Sequence, residues 1–192
     1  MHCGLQSNQA SEPESFEQAS DSIEPEPQVL MASPCWGVAK GDSNLLQIRP
    51  SSVCLNLEDL KCFEVVEHQF HPYGISFRNA IALQPSNPAY PPRTGTTVLM
   101  AAPKNGWLEV TFTKPVRLFC CYITSSQRAV LSAYDHHDHL LISQSLTHPN
   151  LADSDSPIPA NTPMRIEQSN ISRITLNAFD GQLTVADLSY SF

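Results

Sequence analysis

Positive charge is scarce in this chain of 192 residues, which carries 11 Lys and Arg against 19 Asp and Glu. The bases form no cluster, and contact with a phosphate backbone depends on clustered bases, so nucleic acid is not an expected partner. Long apolar runs are also missing, and nothing approaches the ~20 residues of a membrane-spanning helix. The seven glycines are scattered, so no phosphate-cradling loop is present. The six cysteines, Cys3, Cys35, Cys54, Cys62, Cys120 and Cys121, contain no CxxC and no Cys–His pair at zinc-finger spacing. They read as small buried hydrophobes with reduced thiols. The first residues lack the basic and apolar regions of a secretory signal, and a cytoplasmic location is expected. Neither a GxSxG elbow nor a recognisable catalytic cysteine occurs, and the chain reads as a non-enzyme.

What is present falls into three parts. Residues 1–33 are rich in Ser, Glu, Pro and Gln. Their acids are Glu12, Glu14, Glu17, Asp21, Glu24 and Glu26, with no base before residue 31. So little apolar surface cannot offset the entropy of ordering, and an acidic disordered tail is expected, either solvating or an interaction arm. Residues 34–52 read as a strap or edge strand, with Trp36, Val38, Leu45, Leu46 and Ile48 as its apolar positions and Pro50 closing it. From residue 53 to 192 short alternating stretches follow one another with turn residues between them. Ile75 and Phe77 alternate after Gly74; Leu108, Val110 and Phe112 alternate up to a tight connection at Thr113–Lys114–Pro115. VRLFCCYIT is apolar on both faces, as a central strand is. Ala129–Tyr134 and His139–Ser143 make a hairpin, and Asp180–Gly181 signals a turn. In the last stretch Ala186, Leu188, Tyr190 and Phe192 share one face. No stretch keeps helical spacing, so the expected fold is an all-β sandwich of about eight antiparallel strands, with one sheet closed as a barrel the lesser option.

The order of these elements resembles bacterial jelly-roll β-sandwiches of the galactose-binding-like type, which often carry PEP-CTERM sorting tails. The resemblance spans residues 54–192. It rests on an acidic pair in a first strand, Leu57–Glu58–Asp59–Leu60, and on Tyr73–Gly74–Ile75–Ser76–Phe77–Arg78–Asn79. It continues through the loop Tyr90–Pro91–Pro92–Arg93–Thr94–Gly95 and through Val110–Thr111–Phe112–Thr113–Lys114–Pro115–Val116. The hairpin Ala133–Tyr134–Asp135–His136–His137–Asp138–His139–Leu140–Leu141 and the closing Asp187–Leu188–Ser189–Tyr190 complete it. Asp138 stands where the family tends to have Gly, a position that Asp fills in a left-handed turn. The resemblance implies a jelly-roll fold, and a structural Ca²⁺ held by Glu58 and Asp187 with backbone carbonyls.

Three functions follow as expectations. The first is a non-catalytic module for a glycan or small polar ligand at the Gln84–Gly95 loop. Tyr90 would stack on a sugar face, Arg93 and Asn87 would reach hydroxyls, and Arg78, Asn79 and Trp107 would lie nearby. The second is an intracellular protein-interaction or scaffold subunit using a sheet face or the acidic tail. The third is a metal-dependent enzyme built on His136, His137 and His139, whose imidazoles beside Asp135 and Asp138 suit transition metals but splay apart at a hairpin tip.

Overall fold

The computed structural model describes residues 29–34, 52–101 and 106–192. Most of the tail and strap therefore lies outside the described residues. The strands are β1 (Val29–Ala32), β2 (Ser52–Leu55), β3 (Val65–Val66), β4 (Ile75–Arg78), β5 (Ala80–Leu83), β6 (Val98–Ala101), β7 (Trp107–Ser125), β8 (Val130–Tyr134), β9 (Leu140–Ser145), β10 (Thr162–Asn177) and β11 (Leu183–Ser191). Helix among the described residues is limited to one 3₁₀ turn at His71–Tyr73. Among the described residues, no helix is long and apolar enough to cross a membrane.

The fold is an antiparallel β-sandwich of the jelly-roll class, and its two layers share two long strands. One half of β7 pairs Leu108 with Leu176 and Val110 with Ile174 of β10, while its other half pairs Cys121 with Met164 and Phe119 with Ile166. Between these halves the register shifts around Ile171. Thr113, Lys114 and Pro115 of β7 and Gln168, Ser169 and Asn170 of β10 are exposed at that bend. The first layer runs β4–β7–β10–β8–β9. The second uses the far halves of β10 and β7, then β11, β6, β5 and β3, with β2 and β1 added beside β11. The layers meet at the bend, where the Phe112 ring centre is 5.2 Å from that of Tyr190. Tyr190 Oη donates a hydrogen bond to the carbonyl of Tyr73 at 2.5 Å.

Several local expectations change. Thr113–Lys114–Pro115 does not end a strand: it lies inside β7, a single strand of 19 residues. Among the described residues the strands number eleven where about eight were expected, because short β1 and β3 join the sheet and residues 75–83 form two strands. Asn79 separates them with φ of 60° and sends β4 to the first layer and β5 to the second. β1 falls inside the residues assigned to the tail and pairs in parallel with β2, an exception to the antiparallel pattern. The acidic pair Glu58–Asp59 sits in the turn after β2, not in a strand. Asp138 does adopt the left-handed conformation, with φ of 62°.

β11 carries the most consequential departure. Leu183 and Val185 face the core, and so do Leu188 and Tyr190, a change of phase by one residue. A register shift between Ala186 and Ser189, with Asp187 at φ of 47°, absorbs the extra residue as a bulge. Ala186 is thus buried outside the core cluster, and Phe192 is exposed.

Loop 146–161 is anchored by a residue that periodicity cannot reveal. Asn150 is fully buried; its Oδ1 accepts from the Ser125 N–H at 2.7 Å, and its Nδ2 donates to the carbonyls of Ile123 at 2.7 Å and Pro159 at 3.1 Å. Removing a buried amide that answers several backbone groups leaves each of them unsatisfied. Asn150→Ala is expected to lower the unfolding free energy by about 3 kcal/mol, read as a shift in the urea midpoint at unchanged slope.

Candidate functional site

The second layer has a gap at the edge of β11. Along that edge Thr184 and Val185 pair with β6, whereas Ser189 and Tyr190 pair with β2. Asp187 lies between the two partners, at the bulge. A cavity of about 350 Å³ opens there, lined among others by Met31, Asn56, Glu58, Arg93, Thr97 and Asp187.

Two carboxylates fix the loop that forms one wall. Glu58 accepts hydrogen bonds from the N–H groups of Thr96 and Thr97 at 2.9–3.0 Å and from the Thr96 hydroxyl at 2.9 Å. Gly95 is needed for this approach. Its φ is 63°, and a Cβ built there would lie 2.3 Å from Glu58 Oε1. Asp187 accepts from Arg93 Nη1 at 2.5 Å through one oxygen and from the Thr94 hydroxyl through the other. The Arg93 guanidinium carbon sits 3.6 Å from the centre of the Tyr122 ring. Arg93 is therefore held from two directions, by a carboxylate at one nitrogen and by an aromatic face beneath. Among the described residues its remaining N–H donors have no protein partner. The Thr97 hydroxyl is buried without a hydrogen-bond partner among the described residues, and Thr97 lines the same cavity.

The residues singled out in the sequence are dispersed. Arg93 reaches the cavity. Tyr90 from the same loop is buried and offers no stacking face. Asn87 turns its side-chain oxygen onto the N–H of Ala89 at 3.0 Å. Arg78 and Trp107 lie on the first layer, where the Arg78 guanidinium carbon is 5.6 Å from the Trp107 ring centre. They share a face with Arg173, which donates to Glu109 at 3.2 Å and Asp138 at 2.9 Å and covers Tyr134. Asn56, Tyr122 and Thr97 were not legible as site residues. Tyr122 sits in an apolar run that reads only as strand.

Glu58 and Asp187 do meet at one cavity, but their surroundings do not fit Ca²⁺. Glu58 has both oxygens on backbone and hydroxyl donors, and Asp187 has a guanidinium where a cation would sit. At the hairpin, Asp135 accepts from the N–H groups of His137 and His139 at 2.8 and 2.9 Å, and His139 Nδ1 lies 3.2 Å from its second oxygen. Asp135 thus shapes the turn. Among the described residues, no three His, Cys, Asp or Glu side chains are grouped to hold a metal ion. The rings of His136 and His137 have centres 3.7 Å apart, and those of His137 and His139 5.9 Å apart.

Cys54, Ser189 and Cys120 stand in one register row across β2, β11 and β7. Burial pushes both thiols up; for Cys54, Asp187 and Cys120 add to the rise, and for Cys120, Arg165 and Arg93 oppose it. A raised thiol pKa disfavours the thiolate that nucleophilic chemistry requires. Two strand spacings, roughly 10 Å, also separate the pair beyond disulfide reach.

Comparison with known proteins adds little. No family model matches the chain, and no curated protein matches it. Among solved structures it is similar to a DUF4465 family protein from Bacteroides caccae, at 9% identity over 62% of this chain and 74% of that one, with a TM-score of 0.36. A family 29 carbohydrate-binding module from Piromyces equi gives 10% identity over 62% and 80%, with a TM-score of 0.37. TmCBM61, solved with β-1,4-galactotriose, gives 11% identity over 60% and 81%, with a TM-score of 0.31. Likeness at this level transfers no site and no ligand.

The clasp at Glu58 has a pH signature. Burial raises its pKa, but the N–H groups of Thr97 and Thr96 and the Thr96 hydroxyl outweigh that, and the net result lies below the ordinary 4.5. A depressed folded-state pKa gives stability that is complete above the unfolded value and is lost as pH falls through the folded one. Urea midpoints of the wild type should therefore fall below about pH 4.5. Glu58→Gln should be less stable at neutral pH and should lack that component of the fall.

Proposed function

We propose that this protein is a non-catalytic binding module whose ligand is a glycan or a comparable small polyhydroxylated molecule, seated at the gap beside β11. The observation that carries this reading is Arg93, pinned by Asp187 on the Tyr122 ring at a cavity, with its other donors unpartnered among the described residues. Convergent polar groups in a concavity are the usual mark of a ligand site. The chemistry favours a neutral polyol. Asp187 and Glu58 oppose an anion, Arg93 opposes a cation, and hydroxyls both donate and accept. The unpartnered Thr97 hydroxyl offers one more group to the same cavity. The motif order resembling galactose-binding-like domains supports the same class of ligand. The metal-dependent enzyme reading has no comparable support, since the described residues present no ligand cluster.

Glycan-array screening of the full chain, followed by titration calorimetry on the best hit, tests the reading. Arg93→Ala should weaken binding at least about tenfold, the effect of losing one charge-assisted hydrogen bond of roughly 1.5–3 kcal/mol. Trp107→Ala, on the other layer, should leave affinity unchanged. An array without hits would sink the glycan reading, and binding lost with Trp107→Ala but kept with Arg93→Ala would move the site to the first layer.

A further inference from the structure

The first layer ends at β9, which pairs only with β8 among the described residues. Its sequence, LLISQS, has no charge, no proline and no glycine. Free strand edges are ordinarily guarded by charges, prolines or bulges, or kept very short. The edge strand β3 of the second layer has only two residues, and β4, at the opposite edge of the first layer, ends in exposed Arg78. β9 runs six residues with neither a charge nor a proline. Ile142 pairs with buried Ala133 and so lies on the core side of the layer, yet 41% of it remains exposed. The core is open at this edge. A bulge at Leu141, where the register with β8 shifts, tucks that side chain against the core and places Leu140 beside Tyr134, 57% exposed.

We propose that β9 is a dimerisation edge, and that its occupant is β9 of a second copy of this chain, paired antiparallel about a two-fold axis. Charge placement selects this occupant. Arg128 lies at the Ser145 end of the strand, where Nη2 donates to the Ser145 hydroxyl at 2.9 Å. It has no carboxylate partner among the described residues. Asp135 and Asp138 lie in the turn at the Leu140 end, and Asp138 is 78% exposed despite its contact with Arg173. Antiparallel pairing about a two-fold axis sets the Ser145 end of one copy against the Leu140 end of the other. Each Arg128 then faces the acidic turn of its partner, and the contact occurs twice. The added strand also covers Ile142 and extends the core across the junction. A six-residue edge is a small interface, so the dimer population rises with protein concentration.

Sedimentation equilibrium of the full chain, from micromolar to near-millimolar concentration, tests this. The wild type should show a reversible monomer–dimer equilibrium. Ile142→Lys should remain monomeric throughout while keeping its melting temperature. Arg128→Glu, at an exposed position, should raise the dissociation constant at least about tenfold, and added salt should weaken the wild-type dimer. A wild type that stays monomeric, or an Arg128→Glu variant that dimerises as the wild type does, would overturn the proposal. So would a folded Ile142→Lys variant that still dimerises. The Arg128 variant decides the matter if Ile142→Lys proves unstable.

Discussion

The pairing of β7 with β10 is the constraint on which the other elements depend. Two strands of 19 and 16 residues lie side by side and bend together, so one ladder supplies the middle of both layers. A hairpin of ordinary length would belong to one layer only. Here the outer strands need only attach to a half of β7 or β10: β4 and β8 on one half, β11 on the other. At the bend the core is aromatic, with Phe112 in contact with both Phe119 and Tyr190. Exposed Thr113, Lys114 and Pro115 on the outside turn the strand without interrupting it. Proline is tolerated there because such a corner leaves backbone N–H groups without ladder partners.

The candidate site is a consequence of how β11 fits that frame. Its edge is too long for either β6 or β2 alone, and the two meet it at different places. The bulge at Asp187 falls between them. A bulge leaves an extra residue unpaired and re-aims its side chain, which is how an acidic residue comes to project from the middle of a central strand. The turn after β2 brings Glu58 to the same place from the other side. Both carboxylates then act on one loop, Arg93–Thr97.

Reading the chain alone recovers the alternation of Leu108, Val110 and Phe112, the doubly apolar central stretch and the hairpin at Asp135–Asp138, because each is a local pattern. The first half of β10 escapes such reading. Arg165, Glu167, Gln168 and Ser169 are exposed, and Pro163 and Asn170 look like breakers, while pairing to β7 makes the segment a strand regardless. The same non-local effect hid the continuity of β7. At the site, Glu58, Arg93 and Asp187 were legible as chemistry-bearing residues but not as mutual partners, since 94 positions separate Arg93 from Asp187. Tyr90 misled because an aromatic ring in a proline-rich loop looks available, whereas here it is buried.

The Arg93–Asp187 pair is partly exposed, and a pair of that kind contributes only about 0–1 kcal/mol to stability. Its value lies elsewhere. A free arginine loses up to ~2 kcal/mol of side-chain entropy when it is ordered. In this protein the Tyr122 ring and the Asp187 carboxylate impose that ordering before any ligand arrives, and Glu58 fixes the backbone just beyond it. A ligand meeting a guanidinium already fixed in place loses less affinity to immobilising it. The bulge at Asp187, the glycine at position 95 and the ring beneath Arg93 thus have one physical effect in common: under the proposed function, they place the cost of order in folding rather than in binding.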